Sequence, residues 1–317
     1  DALYGGEGND QIWGGAGNDL IEGDDGDDVI LGDFGTDQLA LQHHGDDRIR
    51  GGRGMDYIDG QGGNDQIDGG EDADTLIGGA GDDVVSGGAG YDLIYGDSTE
   101  DSAADQGRDT VEAGDGNDVV LGMGGDDVLD GGDGDDSLYG DDEFGLLAGN
   151  DLLHGGAGND WIHGGAGSDE LQGGTGNDTL IGGAGNDLIV IGAGDGHDLV
   201  AQLANADAGD DVIRLLTGSP ATVLFQRQGD ALVIDLGPDQ SVTLEGFLAE
   251  TSSQHRIEFA NGSVLDRASV LALVGTETSG PDHLVGGGGG GELHGAQGND
   301  VVEGQGGNDA LYREEGD

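Results

Sequence analysis

An aspartate returns about every nine residues through the first 198 positions of this chain. The series is Asp10, Asp19, Asp28, Asp37, Asp47, Asp56, Asp65, Asp74, Asp83, Asp92, Asp109, Asp118, Asp127, Asp136, Asp151, Asp160, Asp169, Asp178, Asp187 and Asp198. Such a period matches neither the ~3.6 of a helix nor the ~2 of a simple strand. One short strand plus one tight turn per unit fits it. The unit reads Gly-Gly-x-Gly-x-Asp followed by x-aliphatic-x, as in Gly5-Gly6-Glu7-Gly8-Asn9-Asp10-Gln11-Ile12-Trp13. Its eighth position is apolar throughout: Ile12, Ile21, Ile30, Leu39, Ile49, Ile58, Ile67, Leu76, Val85, Ile94 and onward to Ile189.

Each position has a physical role. Glycine allows positive φ in the turn and leaves carbonyl oxygens uncovered. The aliphatic residue points inward. Successive turns fall on opposite sides, so one coil takes two units. Loops then stack in two rows, with Asp10 above Asp28 and Asp19 above Asp37. The formal net charge is −58, with nine arginines and no lysine. An excess of one sign opposes compaction and ordinarily points to disorder. Here the acids are periodic, as ligands for cations would be. Nucleic acid is excluded as a partner because no basic patch meets phosphates. Cysteine is absent, which removes disulfides and thiolate metal sites.

Ten units match Gly-Gly-x-Gly-x-Asp in full, the last running from Gly182 to Asp187. These repeats resemble the RTX, or haemolysin-type calcium-binding, family, a repeat whose calcium is a known general example. The resemblance implies an all-β fold, a right-handed parallel β-roll with two nonapeptides per coil. It also implies a calcium ion between each loop and the next in its row. The ligands would be Gly6, Gly8 and Asp10 with Gly23, Asp25 and Asp28, glycines and Asp25 through their carbonyls. The parallel row would begin with Gly15, Gly17 and Asp19 and continue with Gly32, Phe34 and Asp37. An oxygen-only set of about six suits calcium. Twenty loops in two rows allow up to about 18 Ca2+.

The ladder has three breaks. Leu41-Gln42-His43-His44-Gly45-Asp46-Asp47 lacks the first two glycines. Between Asp92 and Asp109 lies the insert Ser98-Thr99-Glu100-Asp101-Ser102-Ala103-Ala104-Asp105, and between Asp136 and Asp151 lies Glu143-Phe144-Gly145-Leu146-Leu147-Ala148. All three read as outward bulges between loop glycine and aspartate. His43, His44, His154 and His163 supply no third ligand for a transition metal.

Composition divides the chain into residues 1–198, the roll, residues 199–279, a small mostly-β domain, and residues 280–317, a short second repeat block. In the middle segment Ala221–Arg227, Ala231–Leu236, Gln240–Phe247, His255–Phe259 and Ser263–Leu265 read as strands. Asp266 reads as the N-cap of a helix Arg267–Val274. The segment resembles the haemolysin-type calcium-binding related domain, through Ala231-Leu232-Val233-Ile234-Asp235-Leu236 and Arg256-Ile257-Glu258-Phe259-Ala260-Asn261-Gly262. That likeness implies a cap or spacer. In the last block Asp282 and Asp300 are spaced to share a calcium, while Gly291 stands where an aspartate belongs.

No His-Glu-x-x-His helix and no Gly-x-Ser-x-Gly elbow is present, so the chain reads as no enzyme. It reads as a fragment of a larger secreted or cell-surface protein and as its calcium-driven folding module. The partners expected are calcium and, during export, the type I secretion machinery. A calcium-dependent binding module for a polysaccharide or cell surface is the alternative. No residue pattern supports membrane or glycan contact directly. An ice-binding face would need a flat threonine ladder, but the ninth position varies (Trp13, Glu22, Leu31, Asp59, Ser86).

Overall fold

The computed structural model describes residues 1–33, 44–98, 106–142, 147–203, 209–228, 230–249, 255–274, 283–285, 292–294, 301–304, 308 and 310–312. Backbone contacts separate two compact units, Asp1–Leu171 and Gln172–Asp317. The division falls inside a strand, whereas the change in composition comes later, near residue 198.

The first unit is a parallel β-roll made of two alternating series of strands. One series is β1 (Ala2–Glu7), β3 (Leu20–Asp25), β5 (Arg48–Arg53), β7 (Gln66–Glu71), β9 (Val84–Gly90), β11 (Thr110–Gly116), β13 (Val128–Asp133) and β15 (Leu152–Ala157), each paired in parallel with the next. The other is β2 (Gln11–Trp13), β4 (Val29–Leu31), β6 (Tyr57–Gly62), β8 (Thr75–Ala80), β10 (Leu93–Tyr95), β12 (Val119–Met123), β14 (Ser137–Asp141) and β16 (Trp161–Gly167). Odd strands pair with odd and even with even, so each coil consumes two units.

Register stacks the eighth positions into two aliphatic columns. Ile21, Ile49, Ile67, Val85, Val111, Leu129 and Leu153 align in one sheet, and Ile30, Ile58, Leu76, Ile94, Val120, Leu138 and Ile162 in the other. All fourteen are at most 3 % exposed. Each buried aliphatic side chain contributes about 1.5–3 kcal/mol. One such side chain per nine residues makes a thin core.

In the second unit β17 (Glu170–Thr175), β18 (Thr179–Gly185), β19 (Leu188–Ile191) and β20 (His197–Val200) are followed by β21 (Val212–Leu215), a strand outside the nonapeptide spacing. Then come β22 (Leu224–Gln228), β23 (Ala231–Gly237), β24 (Gln240–Leu244), β25 (Arg256–Phe259), β26 (Val264–Asp266) and the helix α1 (Arg267–Val274). The aliphatic columns outlast the repeat motif: Leu180, Val200 and Leu244 align, as do Ile189, Ile213 and Ile257. Each parallel run then ends in antiparallel pairing, β24 with β23 and β23 with β22, and β25 with β26. Phe225 and Phe259 meet edge to face at 6.4 Å, and Phe247 is fully buried. Asp266 caps α1 by accepting the Ser269 N–H at 2.8 Å, and Val270 and Val274 are the buried face of the helix. Further on, β27 (His283–Val285) pairs in parallel with β29 (Val301–Glu303), and β28 (Glu292–His294) with β30 (Ala310–Tyr312). Among the described residues no helix is long and apolar enough to cross a membrane.

Candidate metal centres

Each described ladder aspartate lies where a loop gives way to a strand. Along both rows the backbone N–H of one aspartate donates to Oδ1 of the aspartate one coil further on. In the first unit this joins Asp10, Asp28, Asp56, Asp74, Asp92, Asp118, Asp136 and Asp160 into one row. Asp19, Asp47, Asp65, Asp83, Asp109, Asp127, Asp151 and Asp169 form the other. The distances are 2.7–2.9 Å. In the second unit Asp178 donates to Asp198 at 3.2 Å and Asp187 to Asp211 at 3.0 Å.

One carboxylate oxygen is therefore used to build the row, and the other is left over. Oδ2 of Asp10, Asp19, Asp28, Asp47, Asp56, Asp65, Asp74, Asp83, Asp92, Asp109, Asp118, Asp127, Asp136, Asp151 and Asp198 is buried and accepts no hydrogen bond. The first glycine of the loop explains where these oxygens point. A Cβ on Gly5 would stand 2.7 Å from both Asp10 Oδ2 and the Gly23 carbonyl oxygen. On Gly69 it would stand 2.5 Å from Asp74 Oδ2 and 2.7 Å from Gly87 O. Carboxylate and carbonyl oxygens from successive coils thus line one narrow space that tolerates no side chain.

Of the expected ligands at the first site, Asp10 Oδ2 and the Gly23 carbonyl meet in this way; Asp28 joins Asp10 through Oδ1, and its Oδ2 faces the Gly51 carbonyl one coil on. Gly6 and Gly8 hold positive φ, at 99° and 108°. The Asp25 carbonyl accepts the Gly8 N–H at 2.6 Å, and its side chain reaches outward to Arg53 at 3.3 Å. In the second row Gly15 and Gly17 also hold positive φ, and Gly32 O faces Asp19 Oδ2 across Gly14.

The rung over Asp19 is Asp47, not Asp37 as unbroken spacing predicts. The physical reason is the missing glycine pair before Asp47. Gly32 serves as first glycine for Asp47 instead: its Cβ would lie 2.5 Å from Asp47 Oδ2 and from Gly60 O. Phe34, Asp37 and Leu39 lie outside the described residues, as do Asp282, Gly291 and Asp300. The other two breaks also keep their rungs, with partners 26 residues apart at Asp83/Asp109 and 24 at Asp127/Asp151.

Electrostatics show what the rows lack. Burial, reinforced by neighbouring carboxylates, raises Asp83 and Asp127 to about 9 and Asp65 to about 8. The same causes bring Asp74, Asp151, Asp198 and Asp211 to about 7. Asp47, Asp56 and Asp136 stand at about 6. Backbone N–H donors oppose the shift without cancelling it. A divalent cation in each oxygen-lined space would remove it. Among the described residues no three His, Asp or Glu side chains converge on a metal position, so the carbonyls are indispensable to such a site. The residues fit calcium, which takes oxygen ligands in flexible geometry.

Two members of the rows escape the nine-residue spacing. Asp211 continues one row, and its own N–H donates at 2.9 Å to Nδ1 of His255. His255 is 1 % exposed, its basicity lowered by burial, and its Nε2 contacts Leu203 O at 2.7 Å. A neutral ring donating from Nε2 satisfies both bonds and ends the row with an imidazole. The local sequence held the signal: Gly209-Asp210-Asp211-Val212-Ile213 repeats Gly26-Asp27-Asp28-Val29-Ile30.

A search among curated proteins gives no match. Among solved structures the chain is similar to a hyperactive, Ca2+-dependent, beta-helical antifreeze protein from an Antarctic bacterium, at 17 % identity and a TM-score of 0.31, over 97 % of this chain and 84 % of that one. A family model described as RTX calcium-binding nonapeptide repeat (4 copies) matches residues 4–39, 45–76, 68–102, 104–138, 139–171, 163–198 and 285–317. With most of its length matched and its aspartates stacked as carboxylate rows, the chain belongs to the RTX calcium-binding nonapeptide repeat family.

Proposed function

We propose that this chain is the calcium-driven folding module of a larger bacterial protein exported by the type I pathway. The observation that carries the reading is the set of buried, unpartnered Oδ2 atoms along both rows. Ionised and without cations they oppose the fold. With calcium they become its ligands, so metal binding and folding are one event. In a low-calcium cytosol the net charge of −58 keeps the chain extended, which suits passage through a narrow channel. Outside, sites of extracellular type fill at about 0.1–1 mM calcium. Sixteen hydrogen-bonded rungs among the described residues each offer one inter-loop site. The antiparallel ends of the second unit act as a cap, protecting parallel edges from further pairing. The reading assigns no catalysis to this chain and places it outside the cell or on its surface.

The test is far-UV circular dichroism of the 317-residue chain in chelator and in calcium up to about 10 mM. A calcium-dependent gain of β signal is expected; an unchanged spectrum refutes the reading.

A calcium-dependent polysaccharide- or surface-binding role is the second reading. It is favoured by the outer side of the even-numbered strands. Trp13, Leu31, Asp59, Ile77, Tyr95, Leu121 and Tyr139 align there in one column, apolar apart from Asp59, with Trp161 in the neighbouring column 43 % exposed. Flat aromatic surfaces of this kind stack on sugar rings. Loss of polysaccharide retention on Trp13→Ala and Trp161→Ala, with folding intact, would support it.

A further inference from the structure

Two aspartates keep the nine-residue spacing without taking the rung it predicts. Asp37 lies nine residues after Asp28, and Asp101 nine after Asp92. Both lie outside the described residues, but the rungs on either side are fixed: Asp47 stands over Asp19 and Asp109 over Asp83. At the third insertion the same spacing falls on Gly145, so no aspartate competes there. Counting Asp37 or Asp101 would add a rung and move every later strand to the opposite sheet. Missing glycines alone do not forbid that. Ala113 stands where a first glycine belongs, and Asp24, Gln61 and Met123 hold positive φ where a second does.

Arginine placement separates the two registers. Residues 1–198 hold four arginines among 48 acidic residues. All four lie within six residues of Asp47 or Asp109, the rungs that follow the two competing aspartates. Each bonds to a neighbouring coil. Arg53 donates to Asp25 at 3.3 Å, back across the first insertion, and its Nε stands 3.3 Å from Glu71 one coil on. Arg50 stacks over Glu22 and donates to Asp68 at 2.9 Å. Arg48 donates to Gln66 at 3.1 Å. Arg108 donates its backbone N–H to Asp82 Oδ1, back across the second insertion, and its guanidinium to Asp126, both at 2.9 Å. With Asp37 as a rung, Arg50 would stand over Leu31 and Arg53 over Phe34; with Asp101, Arg108 would stand over Tyr91. The bonds to Asp25 and Asp82 would be lost, and Arg50 would follow Trp13 and Leu31 in their apolar column.

We propose that Arg50, Arg53 and Arg108 select the register of the roll and so exclude Asp37 and Asp101 as rungs. The proposal rests on the reading of the rungs as calcium sites. The arginines are positioning residues: they decide which aspartates share an ion. A rung cannot make that choice, because every unit offers the same carboxylate and glycine-rich strands specify register weakly. Exposed ion pairs add little to stability. What these supply is discrimination against the wrong stack.

The chain has no cysteine, so disulfide trapping in the full chain reads the register at the first insertion. Val29 and Tyr57 are partners in neighbouring coils, both 38 % exposed. In the competing register positions 29 and 57 belong to opposite sheets. Val29→Cys/Tyr57→Cys is expected to close under mild oxidation in calcium, with peptide mapping to locate the bond. Adding Arg50→Gln/Arg53→Gln should lower its yield about three- to ten-fold while the calcium-dependent β signal stays. Arg50→Lys/Arg53→Lys, which keeps the charge, should restore it. An unchanged yield with glutamine overturns the proposal, and so does a loss that lysine does not repair. If the glutamine variant fails to fold, Glu22→Gln/Asp25→Asn removes the acids beneath the same arginines. It must lower the yield likewise, and no change there overturns the proposal equally. Wild type without a calcium-dependent β signal would sink the folding-module reading itself, a failure distinct from a trapped bond that ignores the arginines.

Discussion

Acid should replace calcium. In the calcium-free fold Asp74, Asp151 and Asp198 stand at about 7, pushed up by burial. Unfolded, each returns to the ordinary 3.8. A group raised in the folded state contributes no penalty below its unfolded value, where it is protonated in both states. The penalty grows as pH climbs through 3.8 toward 7 and is complete above that. Discounted for partial solvent screening, at about pH 8 it is on the order of 2–4 kcal/mol for one such group, and at about pH 4 it nearly vanishes. Three of them at about pH 8 match the whole stability of a typical domain, ~5–15 kcal/mol, and Asp83 and Asp127 at about 9 add to it. The calcium-free chain is therefore expected to be unfolded at about pH 8 and to gain β structure as pH falls between about 6 and 4.5. Circular dichroism in chelator, with small-angle scattering to follow compaction and light scattering to exclude aggregation, measures this directly. A calcium-free chain already folded at about pH 8, or one that stays unfolded throughout the acid range, would refute the argument that buried carboxylates block the apo fold.

Further outcomes follow from single residues. Gly69→Ala places a Cβ 2.5 Å from Asp74 Oδ2 and 2.7 Å from Gly87 O, and should remove about one calcium from the calorimetric stoichiometry. Gly6→Ala meets nothing within 4 Å but holds φ at 99°, so it should cost about 1 kcal/mol of stability and no ion. Ile58→Ala, at a fully buried position between Ile30 and Leu76, should cost about 2–5 kcal/mol and move the calcium midpoint of folding upward. His255→Leu leaves the Asp211 N–H without its acceptor. It should lower the thermal stability of the calcium-loaded chain by about 1–3 kcal/mol, read from its melting temperature.

Much of the roll was legible in the residue order because a nine-residue unit leaves little choice. A glycine-built turn and one inward aliphatic per unit allow one way to bury Ile21 against Ile49 and Ile67. The helix Arg267–Val274 was legible as well, since a capping aspartate and a short apolar run are local features. Row membership was not legible. Counting Asp37 as a rung swaps every later aspartate between rows, and the glycine that answers Asp47 lies fifteen positions back, at Gly32. Asp211 and His255 stayed hidden because the segments before them carry no nonapeptide spacing.

The sequence by itself determined the period, the carboxylate in each turn and the demand for a counter-cation, because these follow from residues adjacent in the chain. Only the tertiary structure decided which aspartate stands over which. Vertically neighbouring aspartates are joined by hydrogen bonds across 18, 20, 24, 26 or 28 residues. Alignment of the buried aliphatic columns, not distance along the chain, sets those pairings. It also decided that the three insertions enter one row and that each buries an aspartate there, Asp33, Asp97 and Asp141.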